Sequence, residues 1–109
     1  MKLSFILLVF LASAHCQAAD PPPGSRETYL KNGCWGCHGT VGQGSMPGPR
    51  LDPGRLPYEV FSAMVRNPSR AMPPYSTAIL PDSEMRLIYD YLHSVSPSLI
   101  PVDIPLLKP

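Results

Sequence analysis

The chain has 109 residues, with 9 Lys and Arg against 8 Asp and Glu, 15 prolines and 8 glycines. The near balance of charge leaves no basic excess to hold nucleic acid or an anionic membrane surface. All the prolines and glycines follow residue 19, so what remains is a small, loop-rich chain that would struggle to bury enough apolar area by itself.

The N-terminus reads as a secretory signal over residues 1–19. Lys2 precedes an uncharged, mostly apolar run from Leu3 to Ala12, and small residues lead to Ala18 and Ala19. The run is too short to span a bilayer. Cys16 falls inside it, and the bulk of His15 before it disfavours the cleavage that precedes lipid attachment, which leaves a lipoprotein as the lesser alternative. Export would deliver the chain to an oxidising compartment, the periplasm. Without Lys2 the remaining basic and acidic side chains are equal in number.

One small domain is expected over residues 20–96. Asp20-Pro21-Pro22-Pro23-Gly24 is an extended entry. Ser25 is read as the N-cap of a short helix over Arg26–Asn32, with Tyr29 and Leu30 inward and Gly33 ending it. Gly39 to Arg55 is loop, where closely spaced Gly and Pro let backbone approach a flat body. Pro57 suits the first position of a second helix, whose apolar Val60, Phe61, Met64 and Val65 follow at helical spacing, and Pro68 stops it by Asn67. Pro73-Pro74 forces an extended stretch. The last helix is expected over Asp82–Ser94, with the stripe Met85, Ile88, Tyr89, Tyr91 and Leu92 and with Glu84 in its first turn. No segment alternates as a strand. Residues 97–109 form a proline-rich apolar tail. The fold class is therefore all-α.

The chemistry is concentrated in Cys34-Trp35-Gly36-Cys37-His38. Two cysteines at i and i+3 share one helical face, and a histidine directly follows the second. That is the attachment signature of a c-type haem: two thiols for the two vinyl groups on one porphyrin edge, then an imidazole for the iron. A thioredoxin-like pair lacks its strand–helix–strand setting here. A zinc site would have only Cys34, Cys37, His38 and His93 to draw on, with two of them adjacent. A disulfide gives His38 no role. A covalent haem c, one per chain, also supplies the apolar body that the loops need.

The distal ligand is expected among the methionines. Met64 and Met85 sit on apolar helical stripes and read as core packing, while Met46 lies in the loop close behind His38. Met72 is held by Pro73 and Pro74, which fix their own φ and stiffen the residue before them, so its thioether is presented with little entropy to lose. Covering the haem face without ligation is the alternative role for Met72. His93, at a helix end, is the rival ligand.

With these pieces in order, the chain resembles the small class I monohaem cytochromes c. The matching motifs are Cys34-Trp35-Gly36-Cys37-His38, Gly48-Pro49-Arg50-Leu51, Met72-Pro73-Pro74-Tyr75 and the helix ending in Tyr91-Leu92, together covering nearly the whole chain beyond the leader. The resemblance implies an all-α fold wrapped around the haem, first and last helices crossing, Met72 as distal ligand, and the Pro49 carbonyl accepting a hydrogen bond from the second nitrogen of His38. A narrower resemblance, in Leu56-Pro57-Tyr58-Glu59, Val65-Arg66-Asn67 and Arg70-Ala71-Met72-Pro73, is to the cytochrome subunits of flavin-dependent hydroxylases of p-cresol and related alkylphenols (the p-cresol methylhydroxylase type). It implies a periplasmic electron carrier, not itself an enzyme, that takes electrons from a flavin-dependent dehydrogenase and passes them to a downstream cytochrome, cupredoxin or oxidase. A free shuttle to a terminal oxidase or peroxidase is the first alternative. A haem enzyme or gas sensor with an open distal site is the second.

Overall fold

The computed structural model describes residues 20–52, 54 and 56–95. The expected leader and the proline-rich tail lie outside the described residues. Four helices follow in chain order: α1 (Ser25–Lys31), α2 (Trp35–His38), α3 (Tyr58–Arg66) and α4 (Asp82–Ser94). Among the described residues there is no strand, so the architecture is all-α as expected.

The core is the seam between α1 and α4. Tyr29 of α1 is fully buried and meets Tyr91 of α4 with ring centroids 5.3 Å apart, while Met85, Ile88 and Leu92 of α4 and Leu80 just before it complete the buried set. The α4 stripe thus faces inward as its spacing predicts, with Tyr89 only half-buried and its hydroxyl donating to the Leu56 carbonyl at 2.9 Å. Across the same seam the Lys31 ammonium and the Asn32 amide donate to the Glu84 carboxylate at 2.9 and 3.2 Å. The two donors hold the Glu84 carboxyl below its ordinary pKa, Lys31 contributing most.

Two assignments are corrected. Ser25 is not an N-cap: it is already helical, and Gly24 takes the cap position at φ +79° with no side-chain cap. The turn that brings the chain in closes one step earlier, through Ser25 N–H donating to the Pro22 carbonyl at 3.1 Å, which rotates the Ser25 side chain into the interior. Pro57 likewise caps α3 and does not begin it. Gly33 ends α1 as read, at φ +75°, a conformation that disfavours any residue with a Cβ.

α3 also departs from expectation. It is amphipathic, yet none of its residues is buried. Met64 is not core packing, since it is 54 % exposed. Val60 faces outward as well. The side of α3 that carries Phe61, Met64 and Val65 lines an open cavity.

Candidate haem-binding site

That cavity, about 370 Å³, lies between α3, α4 and the loop after α2, and its lining is almost wholly apolar. Cys34, Cys37 and His38 line it together with Pro49, and Met72 and Pro73 line it as well. Thus the structure brings all five sequence-predicted residues (Cys34, Cys37, His38, Pro49 and Met72) to a single cavity. Met46 is fully exposed, Met85 is fully buried in the core, and His93 is exposed with its ring stacked 4.0 Å from Tyr89. None of these three reaches the cavity lining. Met64 does reach it, so two methionines, Met64 and Met72, border the space.

The motif folds as one helical turn. Cys34 has right-handed helical angles, and His38 N–H donates to the Cys34 carbonyl at 3.0 Å. The following loop is then drawn back over α2. Gly44 N–H donates to the His38 carbonyl at 2.7 Å, Ser45 Oγ donates to the Cys37 carbonyl at 2.5 Å, and Leu51 N–H and Asp52 N–H both donate to the Gly42 carbonyl. Gly48 fits against the motif itself: a Cβ there would lie 2.5 Å from the Cys37 carbonyl oxygen. No side chain longer than hydrogen fits between the loop and α2.

This close approach places the Pro49 carbonyl 2.7 Å from His38 Nδ1. A carbonyl only accepts, so Nδ1 carries the proton and Nε2 keeps its lone pair. His38 is buried on the cavity wall, and the carbonyl fixes the orientation of its ring there. Arg50 next in sequence locks the loop, its Nε 2.6 Å from the fully buried Asp52 carboxylate.

Both cysteines are free thiols. Burial pushes the Cys34 thiol up to about 11, so it is protonated at neutral pH. A redox-active Cys-x-x-Cys pair works by the opposite shift, towards a stabilised thiolate. Among the described residues no three His, Cys, Asp or Glu side chains converge on a common point. Two thiols, an imidazole with Nε2 turned from the Pro49 carbonyl, a thioether and apolar walls form a donor set and a cradle that fit haem c.

Sequence reasoning missed the supports of this site. Tyr29 hydroxyl donates to the Gly39 carbonyl at 2.7 Å and Tyr91 hydroxyl to the Thr40 carbonyl at 3.2 Å, so the α1–α4 seam also holds the start of the loop after His38. Tyr75 hydroxyl donates to the Asn32 carbonyl at 2.9 Å and ties the segment after Met72 to the end of α1. The signal was Tyr29 and Tyr91 at inward helical positions: a buried phenol needs a partner, and loop carbonyls supply one.

An all-α fold around an apolar cavity that carries Cys-x-x-Cys-His defines a cytochrome c domain. The family model described as "Cytochrome C oxidase, cbb3-type, subunit III" matches residues 22–92, and the chain belongs to this family of c-type cytochromes. No curated protein and no solved structure matches the chain. Membership makes the protein a c-type cytochrome that binds haem c and exchanges electrons with redox partners. Among the described residues no helix is long and apolar enough to cross a membrane.

Proposed function

We propose that the chain carries one covalent haem c, attached through Cys34 and Cys37, with His38 and Met72 as axial ligands, and that it works as a one-electron carrier in the periplasm. The observation that carries this reading is the convergence of the Cys34–His38 turn and the Met72 arm on one apolar cavity. The haem supplies the reversible one-electron change. The chain's own residues do the rest. His38, oriented by Pro49, presents Nε2. Met72 offers a soft thioether that favours the reduced state, and the apolar wall of α3 excludes water. Were His38 and Met72 both to hold the iron, no position would be left for a substrate, which argues for a carrier and not an enzyme.

We further propose that the electrons come from a periplasmic dehydrogenase, in the narrower reading a flavin-dependent one acting on alkylphenols. Leu56-Pro57-Tyr58-Glu59 and Arg70-Ala71-Met72-Pro73 support this. Downstream acceptors would be a cytochrome, a cupredoxin or an oxidase. A second reading, electron delivery to a terminal oxidase, is favoured by the name of the matched family. Expression of the full chain in a host that matures c-type cytochromes tests the first part. One haem mass retained under denaturing conditions and a low-spin spectrum are expected, and a haem-free, well-folded product refutes it. Co-purification from the native periplasm separates a dehydrogenase partner from an oxidase.

A further inference from the structure

We infer that Arg66 is the positioning residue for the Met72 arm and sets how firmly Met72 is held as distal ligand. The inference rests on the reading that Met72 binds the iron.

Arg66 closes α3, and its side chain is only 17 % exposed, unusual for a cation. One of its terminal nitrogens donates to two backbone carbonyls, Tyr75 at 2.8 Å and Leu80 at 2.7 Å. The other pairs with the Asp82 carboxylate at 2.5 Å. All three acceptors belong to the return half of the segment between α3 and α4 or to the first residue of α4. One guanidinium therefore fastens the way back into α4 onto the helix that the chain has just left. Its planar fork is what allows this span, because a Lys ammonium is a single compact donor centre.

Met72 depends on that fastening. Tyr75 is also held by its own N–H, which donates to the Val65 carbonyl at 3.1 Å. Only Pro73 and Pro74 separate Tyr75 from Met72. They fix their φ angles and have no N–H, so the anchor at Tyr75 is transmitted to Met72 through a stiff two-residue link. The approach side offers no comparable support: among the described residues, none of Pro68 to Met72 makes a hydrogen bond to another. The thioether is thus aimed from the Tyr75 side, where Arg66 adds a charge-assisted anchor to the bonds that Tyr75 N–H makes to Val65 and its hydroxyl makes to Asn32.

The test is competition for the ferric iron in the full-chain holoprotein. Imidazole titrated into the oxidised protein displaces a weakly held thioether and is read by loss of the weak near-infrared sulfur-to-iron band. Arg66→Met should keep that band before titration and bind imidazole about tenfold tighter, the order expected when charge-assisted bonds to the arm are lost. Arg66→Lys should fall between Arg66→Met and the parent, and it serves as the test variant should Arg66→Met fail to mature. Tyr89→Phe removes the bond to the Leu56 carbonyl ahead of α3, away from the arm, and should lower the melting temperature with imidazole affinity unchanged. An affinity for Arg66→Met within about twofold of the parent, or an equal shift in Tyr89→Phe, overturns the inference. Met72→Ala measured alongside separates the two levels. Loss of the band there with no effect of Arg66→Met defeats the positioning role alone, whereas survival of the band defeats the ligand assignment and the inference with it.

Discussion

Gly48→Ala and Gly36→Ala add the same methyl group to the same haem-binding region and should have opposite outcomes. A Cβ at Gly48 would lie 2.5 Å from the Cys37 carbonyl oxygen, 2.8 Å from its carbon and 3.0 Å from Cys37 Cβ, where ordinary contact begins at 3.4 Å. The obstructing atoms are mostly backbone, so no rotamer change relieves them, and the loop must lift by about 1 Å. A lift of that size takes the 2.7 Å contact between His38 Nδ1 and the Pro49 carbonyl out of hydrogen-bond range. Overpacking at about 2 kcal/mol and the lost bond at about 1 kcal/mol together predict a fall in melting temperature of roughly 12–24 °C for a domain of this size. Losing the acceptor also lowers the basicity of His38, so the ferric state is less favoured and the reduction potential rises. Gly36 sits in α2 with nothing within 4 Å of its added Cβ. There alanine gains up to about 1 kcal/mol of helix propensity and should leave the melting temperature equal or slightly higher. Thermal melts of the two holoproteins, followed by potentiometry, decide the matter. A Gly48→Ala protein that melts within about 3 °C of the parent at an unchanged potential refutes the reasoning.

Other outcomes follow from single contacts. Met72→Ala should abolish the near-infrared sulfur-to-iron band and lower the reduction potential, while Met64→Ala should keep the band; a band that vanishes only in Met64→Ala would reassign the ligand to the other methionine on the cavity wall. Asp52→Asn leaves Arg50 facing an amide in place of a fully buried carboxylate and should cost about 2 kcal/mol in a denaturant melt, less than a fully buried pair because Arg50 reaches solvent. Glu84→Gln should show a pH-dependent deficit. The Glu84 pKa lies below its ordinary 4.5 in the folded chain, so its contribution is present in full above that value and disappears as pH falls through the lowered one. Melting temperatures of parent and variant should therefore differ at pH 7 and converge in acid, and a gap that persists below the carboxylate range contradicts the pairing.

How far the fold could be read from the chain depended on what each segment packs against. α4 was legible to the residue because its stripe faces other protein: Met85, Ile88, Tyr91 and Leu92 recur at helical spacing, and all are buried. Pro81 before it and acidic residues in its first turn mark the start. The motif residues were legible because their spacing is dictated by the chemistry of attachment, and the Pro49 contact came with the family likeness. The start of α1 was misread because two signals competed. Ser25 has the side chain of an N-cap, but the proline run ahead of it turns the chain so that Gly24 caps the helix and Ser25 points inward. Tyr75 and Arg66 were not singled out as supports because a side chain that bonds loop carbonyls far along the chain leaves no periodic trace.

Met64 shows why an apolar stripe alone does not reveal what covers it. Periodicity reports that one face of α3 avoids water, and protein core is the usual partner. Here Phe61 and Val65 only border the core, Met64 is half exposed, and the same face lines the cavity. Apolar area left open over one helix is costly in water, so a body of matching shape is needed to cover it. The Cys34–His38 turn and Met72 border that same open area, where in the proposed reading they would attach and ligate one flat apolar group. The wall that no described residue covers and the residues proposed to bind a haem are therefore two halves of a single requirement. It follows that the apolar face of α3 is best compared with the contents of the cavity, since Phe61, Met64 and Val65 line it and only Phe61 and Val65 also touch the core.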